Sequence, residues 1–158
     1  MLVGSNTVMY DNPTLNVRDW SGRNPLRIVL DRYLKCDSGN NIFSGDQHSL
    51  HYNTLLDKST GNSQSIRVSE QHFLQDVITD LHQRKVQSLI VEGGAATLAL
   101  FINANLWDEA RIFTSSEKFN AGIPAPRVQG TLVSEQRVID NILRMVQREA
   151  LPHVKAYQ

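Results

Sequence analysis

Ser88-Leu89-Ile90-Val91-Glu92-Gly93-Gly94-Ala95 is the stretch on which the fold turns. Its apolar run stops abruptly at a carboxylate and two glycines. That pattern predicts a buried parallel strand over Ser88–Val91 that ends in a Gly-Gly turn. Ala95 to Phe101 is rich in helix formers and predicts a helix. Strand, Gly-Gly and helix in that order aim backbone N–H groups at an anion, because a helix N-terminus carries roughly half a positive charge. The carboxyl end of a parallel strand is also where open α/β sheets hold ligands. One reading is a phosphate-bearing cofactor over Gly93 to Thr97, with Glu92 facing the site. The other is a tight turn whose glycines serve close packing alone.

Upstream, Ser65–Val68 predicts a strand. Ser69 is a helix cap with Glu70 in the first turn, and Phe73, Leu74, Val77, Ile78 and Leu81 recur at helical spacing, so residues 70–84 predict a helix. Strand, helix and the 88–91 strand form a β-α-β unit with parallel strands and a right-handed crossover. Met1–Gly4 reads as the tail of an apolar strand. Ser5-Asn6-Thr7 offers side chains that hydrogen-bond a ligand or cap a turn. Asp11-Asn12-Pro13 predicts a turn, and Thr14–Arg18 a loop or short extended piece. Leu26–Asp31 predicts a second central strand that ends in a carboxylate. Ile42-Phe43 reads as a short strand in a polar stretch, and residues 57–64 as an exposed loop. His48 and His51 lack partners at ligand spacing, so no metal site is expected.

Downstream, the end of Leu106–Phe113 predicts a strand, with Trp107 in core or interface, and Gly122–Pro126 is a rigid loop. Between Ser134 and Glu149 the apolar spacing favours a helix, while Asp140-Asn141 between two apolar runs fits a hairpin turn.

The 158 residues predict one domain, and 41% apolar with 20% charged residues predicts a globular chain. Sixteen basic residues balance sixteen acidic ones, so nothing favours nucleic acid or an anionic membrane. The single cysteine, Cys36, forms no internal disulfide and suits a reducing, cytoplasmic setting. No apolar run approaches the ~20 residues of a membrane span, and no signal pattern follows Met1.

Three segments together resemble one family. They are Val3–Arg18 (VGSNTVMYDNPTLNVR), Pro25–Asp31 (PLRIVLD), and Leu89–Gly94 (LIVEGG) followed by Leu106-Trp107-Asp108-Glu109. In order and spacing they are similar to the reductase domain of the bifunctional riboflavin-biosynthesis deaminase-reductase, the RibD C-terminal half. The resemblance covers nearly the whole chain. It implies an α/β, dihydrofolate-reductase-like fold: a mostly parallel twisted sheet flanked by helices, with residues 137–149 in a C-terminal β-hairpin. It implies NADPH as hydride donor and 5-amino-6-(5-phosphoribosylamino)uracil as substrate.

Residue by residue, it implies cofactor contacts at Thr7, Asp11 and Gly94, Ala95, Ala96, Thr97 and Leu98. It implies substrate contacts at Leu15, Arg18 and Glu92. Arg32 matches a cofactor-contacting position that is often a serine in that family; an arginine there reads either as a partner for the 2′-phosphate of NADPH or as a surface charge. It implies a homodimer and, in a full-length parent, a deaminase domain. The family's opening strand, which carries a lysine and a Ser-x-Asp-Gly segment, and the helix after it have no counterpart here. Residues 1–158 are therefore expected to be a single reductase domain lacking its first strand and helix, without a deaminase domain and with reduced or absent activity. No residue is assigned as proton donor. Other readings are another NADPH reductase of the same fold, or a non-catalytic nucleotide-binding or dimerisation remnant.

Overall fold

A computed structural model of the chain describes residues 1–19, 21–118 and 121–149, so the last nine residues of the expected domain lie outside the described part. Two compact units are distinguished, Met1–Thr97 and one that starts at Leu98.

The first unit is built on a six-stranded sheet. β1 (Leu2–Gly4) and β2 (Arg27–Leu30) are buried along their whole length and pair in parallel. β3 (Ser49–Asn53) follows in parallel on β2, and β5 (Ser63–Arg67) in parallel on β3. β4 (Lys58–Thr60) lies antiparallel on β5 at the outer edge. β6 (Val91–Gly93) pairs in parallel with the other side of β1. The order is β4-β5-β3-β2-β1-β6. β2 and β3 thus step outward from β1, the β4–β5 hairpin closes the edge with β5 on β3, and the chain then returns through α2 (Phe73–Gln83) to the opposite side of β1. The strands flanking α2 are parallel as expected, but β3, β2 and β1 stand between them.

Several elements depart from the sequence reading for physical reasons. Ser5–Asp11 is a helix, α1, although Ser, Asn, Thr and Val are weak helix formers. Val8 of α1 packs with Val3, Leu15, Val29 and Ile42, and this burial overrides propensity. The expected strand at 42–43 is a 3-10 turn, Asn41–Phe43. Asn12 Oδ1 accepts the Asn41 N–H at 2.8 Å, and the Arg27 guanidinium donates to the Ile42 and Ser44 carbonyls. Residues 57–64 are not a plain loop but the edge hairpin of β4 and β5.

β3 was not foreseen, because its polar residues hide it. All five are buried. Tyr52 donates to Asp80 Oδ2 at 2.6 Å, and Asn53 holds the Leu56 and Ile66 carbonyls and the Leu55 and Leu56 N–H groups. The core strand expected over 88–91 begins later, at Val91, and Ile90 is 61% exposed. α2 starts at Phe73 rather than 70. The N-cap is His72, whose side chain makes no capping hydrogen bond; Ser69 Oγ accepts the His72 N–H and Asp76 Oδ2 the Ser69 N–H, which ties the preceding turn to the helix.

α3 (Ala95–Asn103) agrees with the expected helix, and the boundary between the units falls within it. The second unit holds an antiparallel three-stranded sheet in the order β7-β9-β8, formed by β7 (Glu109–Ser115), β8 (Thr131–Val138) and β9 (Asn141–Gln147). The expected C-terminal hairpin is present as β8 and β9 and starts six residues earlier than foreseen. Ile139, at φ 55°, makes its turn. Apolar spacing alone, which favoured a helix here, misleads because both faces of β9 carry apolar residues. No helix among the described residues is long and apolar enough to cross a membrane.

Candidate functional site at the strand-order switch

The direction in which strands are added reverses between β1 and β6. In open α/β sheets such a switch leaves a crevice at the carboxyl ends of the two strands. Both strands turn there directly into helices. β1 ends at Gly4, which is extended (φ −88°, ψ 163°) and serves as the N-cap of α1. β6 ends at Gly93, and Gly94, at φ +71°, turns the chain into α3. That conformation is unfavourable for any residue with a Cβ.

The two turns interlock. A Cβ at Gly4 would run into Thr97 Oγ1. A Cβ at Gly93 or Gly94 would stand 3.1 or 3.3 Å from Thr7 Oγ1. Close packing therefore accounts for Gly4 and Gly93, while Gly94 answers to backbone conformation. What the packing brings together is a donor set. It comprises the Thr7 and Thr97 hydroxyls and the first-turn N–H groups of α3, which have no partner within the helix. No acidic residue stands in the first turn of α1 or α3 to compete with an incoming anion. Hydroxyls, helix N–H groups and close backbone approach fit a phosphate ester.

Of the residues singled out from sequence, Thr7, Gly94, Ala95, Ala96 and Thr97 meet here, and Leu98 continues the same helix as the first residue of the second unit. Asp11 lies one turn beyond Thr7 on the same face of α1 and is exposed. Glu92 is the extra residue of a β-bulge, since Leu2 pairs with Val91 and Val3 with Gly93. Bulges re-aim side chains, and Glu92 is exposed.

The remaining residues lie elsewhere. Leu15 is 9% exposed, at φ +49°, within the Val3–Val8–Val29–Ile42 cluster. Arg18 is exposed in the long connection to β2. Arg32 follows β2, donates to the Glu70 carbonyl at 3.1 Å, and lies 4.2 Å from the Phe73 ring centre. It is held in place at the end of the strand next to β1.

Sequence reasoning missed the groups that fix Arg32. Thr54 Oγ1 donates to its carbonyl at 2.8 Å, and the neighbouring Tyr33 hydroxyl donates to Glu70. Asp31, just before it, is 1% exposed and binds the Lys35 and Cys36 N–H groups and His51 Nε2. Burial alone would raise the Asp31 carboxyl, but the hydrogen bonds from His51, Cys36 and Lys35 outweigh it and lower the pKa from 3.8 to about 2. The signal was a carboxylate directly after an apolar strand.

Residues 1–117 match the sequence profile of the RibD C-terminal domain. The chain belongs to that family. Two proteins of Aquifex aeolicus are similar in sequence. Riboflavin biosynthesis protein RibD is 25% identical over 129 residues, covering 78% of this chain and 36% of its own length. 2,5-diamino-6-ribosylamino-4(3H)-pyrimidinone 5′-phosphate reductase is 29% identical over 121 residues, covering 71% and 54%. The chain thus spans between about a third and about half the length of these relatives. Among solved structures, a diaminohydroxyphosphoribosylaminopyrimidine deaminase/5-amino-6-(5-phosphoribosylamino)uracil reductase of Thermotoga maritima superposes with a TM-score of 0.81 at 22% identity. The match covers 93% of this chain and 44% of that one. A pyrimidine reductase-like protein of Corynebacterium diphtheriae gives 0.68 at 14% identity, over 92% and 74%. These likenesses establish the mixed α/β fold with a mostly parallel sheet, which fits the dihydrofolate-reductase-like class expected for this RibD C-terminal domain.

Proposed function

We propose that this RibD C-terminal domain takes part in the NADPH-dependent reduction of 5-amino-6-(5-phosphoribosylamino)uracil to its ribitylamino product. The observation that carries the reading is the pair of interlocked strand-to-helix turns at the strand-order switch. Thr7, Asp11 and Gly94 to Leu98 hold the cofactor phosphates and nicotinamide end. Arg32 takes the 2′-phosphate, for which a guanidinium fork is well shaped. When bound, NADPH supplies the hydride.

The protein's own part is positional and electrostatic. Glu92 orients polar groups of the pyrimidine, and Arg18 pairs with the substrate phosphate through two parallel hydrogen bonds. Leu15 closes the apolar side of the substrate site. Its left-handed backbone supports this reading, because such strain is often kept at ligand sites. The name of the Aquifex RibD supports the pathway, and that of the Aquifex pyrimidinone phosphate reductase supports reduction of a ribosylamino-pyrimidine phosphate. A cytoplasmic homodimer belongs to the same proposal, as does a deaminase domain in the parent protein. Phe113, Leu132 and Val133 are each at least 50% exposed on the sheet of the second unit, which supports pairing with a second copy.

The test is substrate binding to the NADPH-saturated chain by calorimetry. The expected result is one equivalent bound, with Arg18→Ala weakening it about tenfold or more, as a charged hydrogen bond is worth about 1.5–3 kcal/mol. A folded chain that binds no substrate contradicts the proposal.

A further inference from the structure

Behind the carboxyl ends of β2 and β3, three side chains from three parts of the chain converge: Asp31, Cys36 and His51. A carboxylate oxygen, Sγ and an imidazole nitrogen lie within 4.8 Å of one another. Asp31 is 1% and His51 6% exposed, and Cys36 is half-buried. His51 Nε2 stands 3.0 Å from Asp31 Oδ2, and Cys36 Sγ 3.8 Å from the backbone oxygen of Ser5.

We propose that Asp31, Cys36 and His51, with the Ser5 carbonyl as fourth donor, form a structural site for a thiophilic divalent cation of the zinc type. Carboxylate, thiolate and imidazole make a donor set that suits zinc and not magnesium or calcium. Zinc bonds of about 2.0–2.3 Å give a tetrahedron with edges of roughly 3.3–3.8 Å. The 3.8 Å between Cys36 Sγ and the Ser5 oxygen matches such an edge, whereas the 3.0 Å hydrogen bond between His51 and Asp31 must open by a few tenths of an ångström and the donor atoms, spread within 4.8 Å, must draw together around the ion. The surroundings hold the ligands in orientation. Asp31 Oδ1 accepts the Lys35 N–H at 3.0 Å and Oδ2 the Cys36 N–H at 2.9 Å, while the Phe43 ring lies 4.9 Å from that of His51.

Binding displaces the Cys36 thiol proton to solvent as the Sγ–metal bond forms. The cation ties the end of β2, the segment to Cys36, β3 and the start of α1 together. The site is separate from the Thr7–Thr97 donor set and does not depend on the proposed reaction.

The test uses the full chain, stripped of metal with a chelator, and two probes. Cobalt(II) reports thiolate ligation through its sulfur-to-metal absorption, and zinc(II) is titrated against a chromogenic competitor. The expected result is one equivalent of cobalt with the thiolate band, lost in Cys36→Ser. Zinc affinity falls at least about tenfold in that variant. Zinc also raises the urea midpoint of the wild type and not that of Cys36→Ser. The proposal is overturned if the folded wild type takes up no stoichiometric metal. It is equally overturned if Cys36→Ser binds with unchanged affinity, in which case the exposed His48, His72 or His82 is the ligand and Asp31–His51 is a hydrogen-bonded brace.

Discussion

Gly4 carries no unusual dihedral angle, yet a Cβ there forces its neighbour to move. Its missing Cβ is the space that Thr97 Oγ1 occupies. Gly4→Ala is expected to cost about 1–3 kcal/mol, the usual range for overpacking. Thr97→Ala in the same chain is expected to return most of that, because the two sites share one contact. Urea midpoints of the two single variants and the double variant measure this coupling, and additive costs would show that the turns do not interlock. Gly94 differs in kind. At φ +71° an alanine pays about 1–2 kcal/mol in backbone energy whatever its neighbours do, so no second substitution rescues it.

Tyr52 gives a prediction in pH. Burial first, and then the Asp80 carboxylate that accepts its hydrogen bond, raise the Tyr52 hydroxyl above its ordinary 10.0. A raised folded-state pKa contributes stability that is intact below the unfolded value and declines as the pH climbs through and beyond it. The wild type is therefore expected to lose stability above about pH 10 more steeply than Tyr52→Phe. At neutral pH the variant is expected to be about 1 kcal/mol less stable for want of the Asp80 hydrogen bond. Chemical denaturation at neutral and alkaline pH checks both signs.

Among the elements, α2 is tied to the turn before it through Ser69 and Asp76 and owes its place to one buried stripe. Phe73, Val77 and Leu81 are each at most 4% exposed. Asp76→Ala removes the acceptor of the Ser69 N–H and is expected to cost about 1 kcal/mol, the usual net value of one hydrogen bond, measured as a shifted thermal midpoint. Sequence legibility follows the same physics. α2 could be read because one apolar face sits at helical spacing, and β1 and β2 because buried parallel strands are continuously apolar. α1 and β3 could not, because tertiary contacts rather than pattern decide them. Val8 docks a poor helix former on the core, and β3 buries His51 against Asp31, 20 residues away, and Asn53 among backbone groups of its own turn and of Ile66. Likewise Gly93, Gly94 and Thr97 announced a candidate site from sequence. Thr7 was singled out too, but its packing against Gly93 and Gly94, and the facing Gly4 against Thr97, came into view only when β1 proved to be the neighbour of β6, a matter of strand order that no local pattern records.

At the scale of the whole molecule, this RibD C-terminal domain presents its donor set where the strand order switches, and Arg32 stands beyond the adjacent strand. If that arrangement holds a nicotinamide dinucleotide, the preference for NADPH over NADH belongs to Arg32 and the affinity for either to Gly94 and its helix. Arg32→Ala is then expected to narrow the preference about tenfold or more, by loss of a charge-assisted hydrogen bond, and Gly94→Val to weaken both cofactors together. The measurement that tests the central claim most directly is calorimetric titration of the folded chain with NADPH and with NADH. The account predicts one equivalent of NADPH, bound more tightly than NADH and lost in Gly94→Val. A folded chain that binds neither dinucleotide, or a Gly94→Val variant that folds and binds NADPH unchanged, would contradict it.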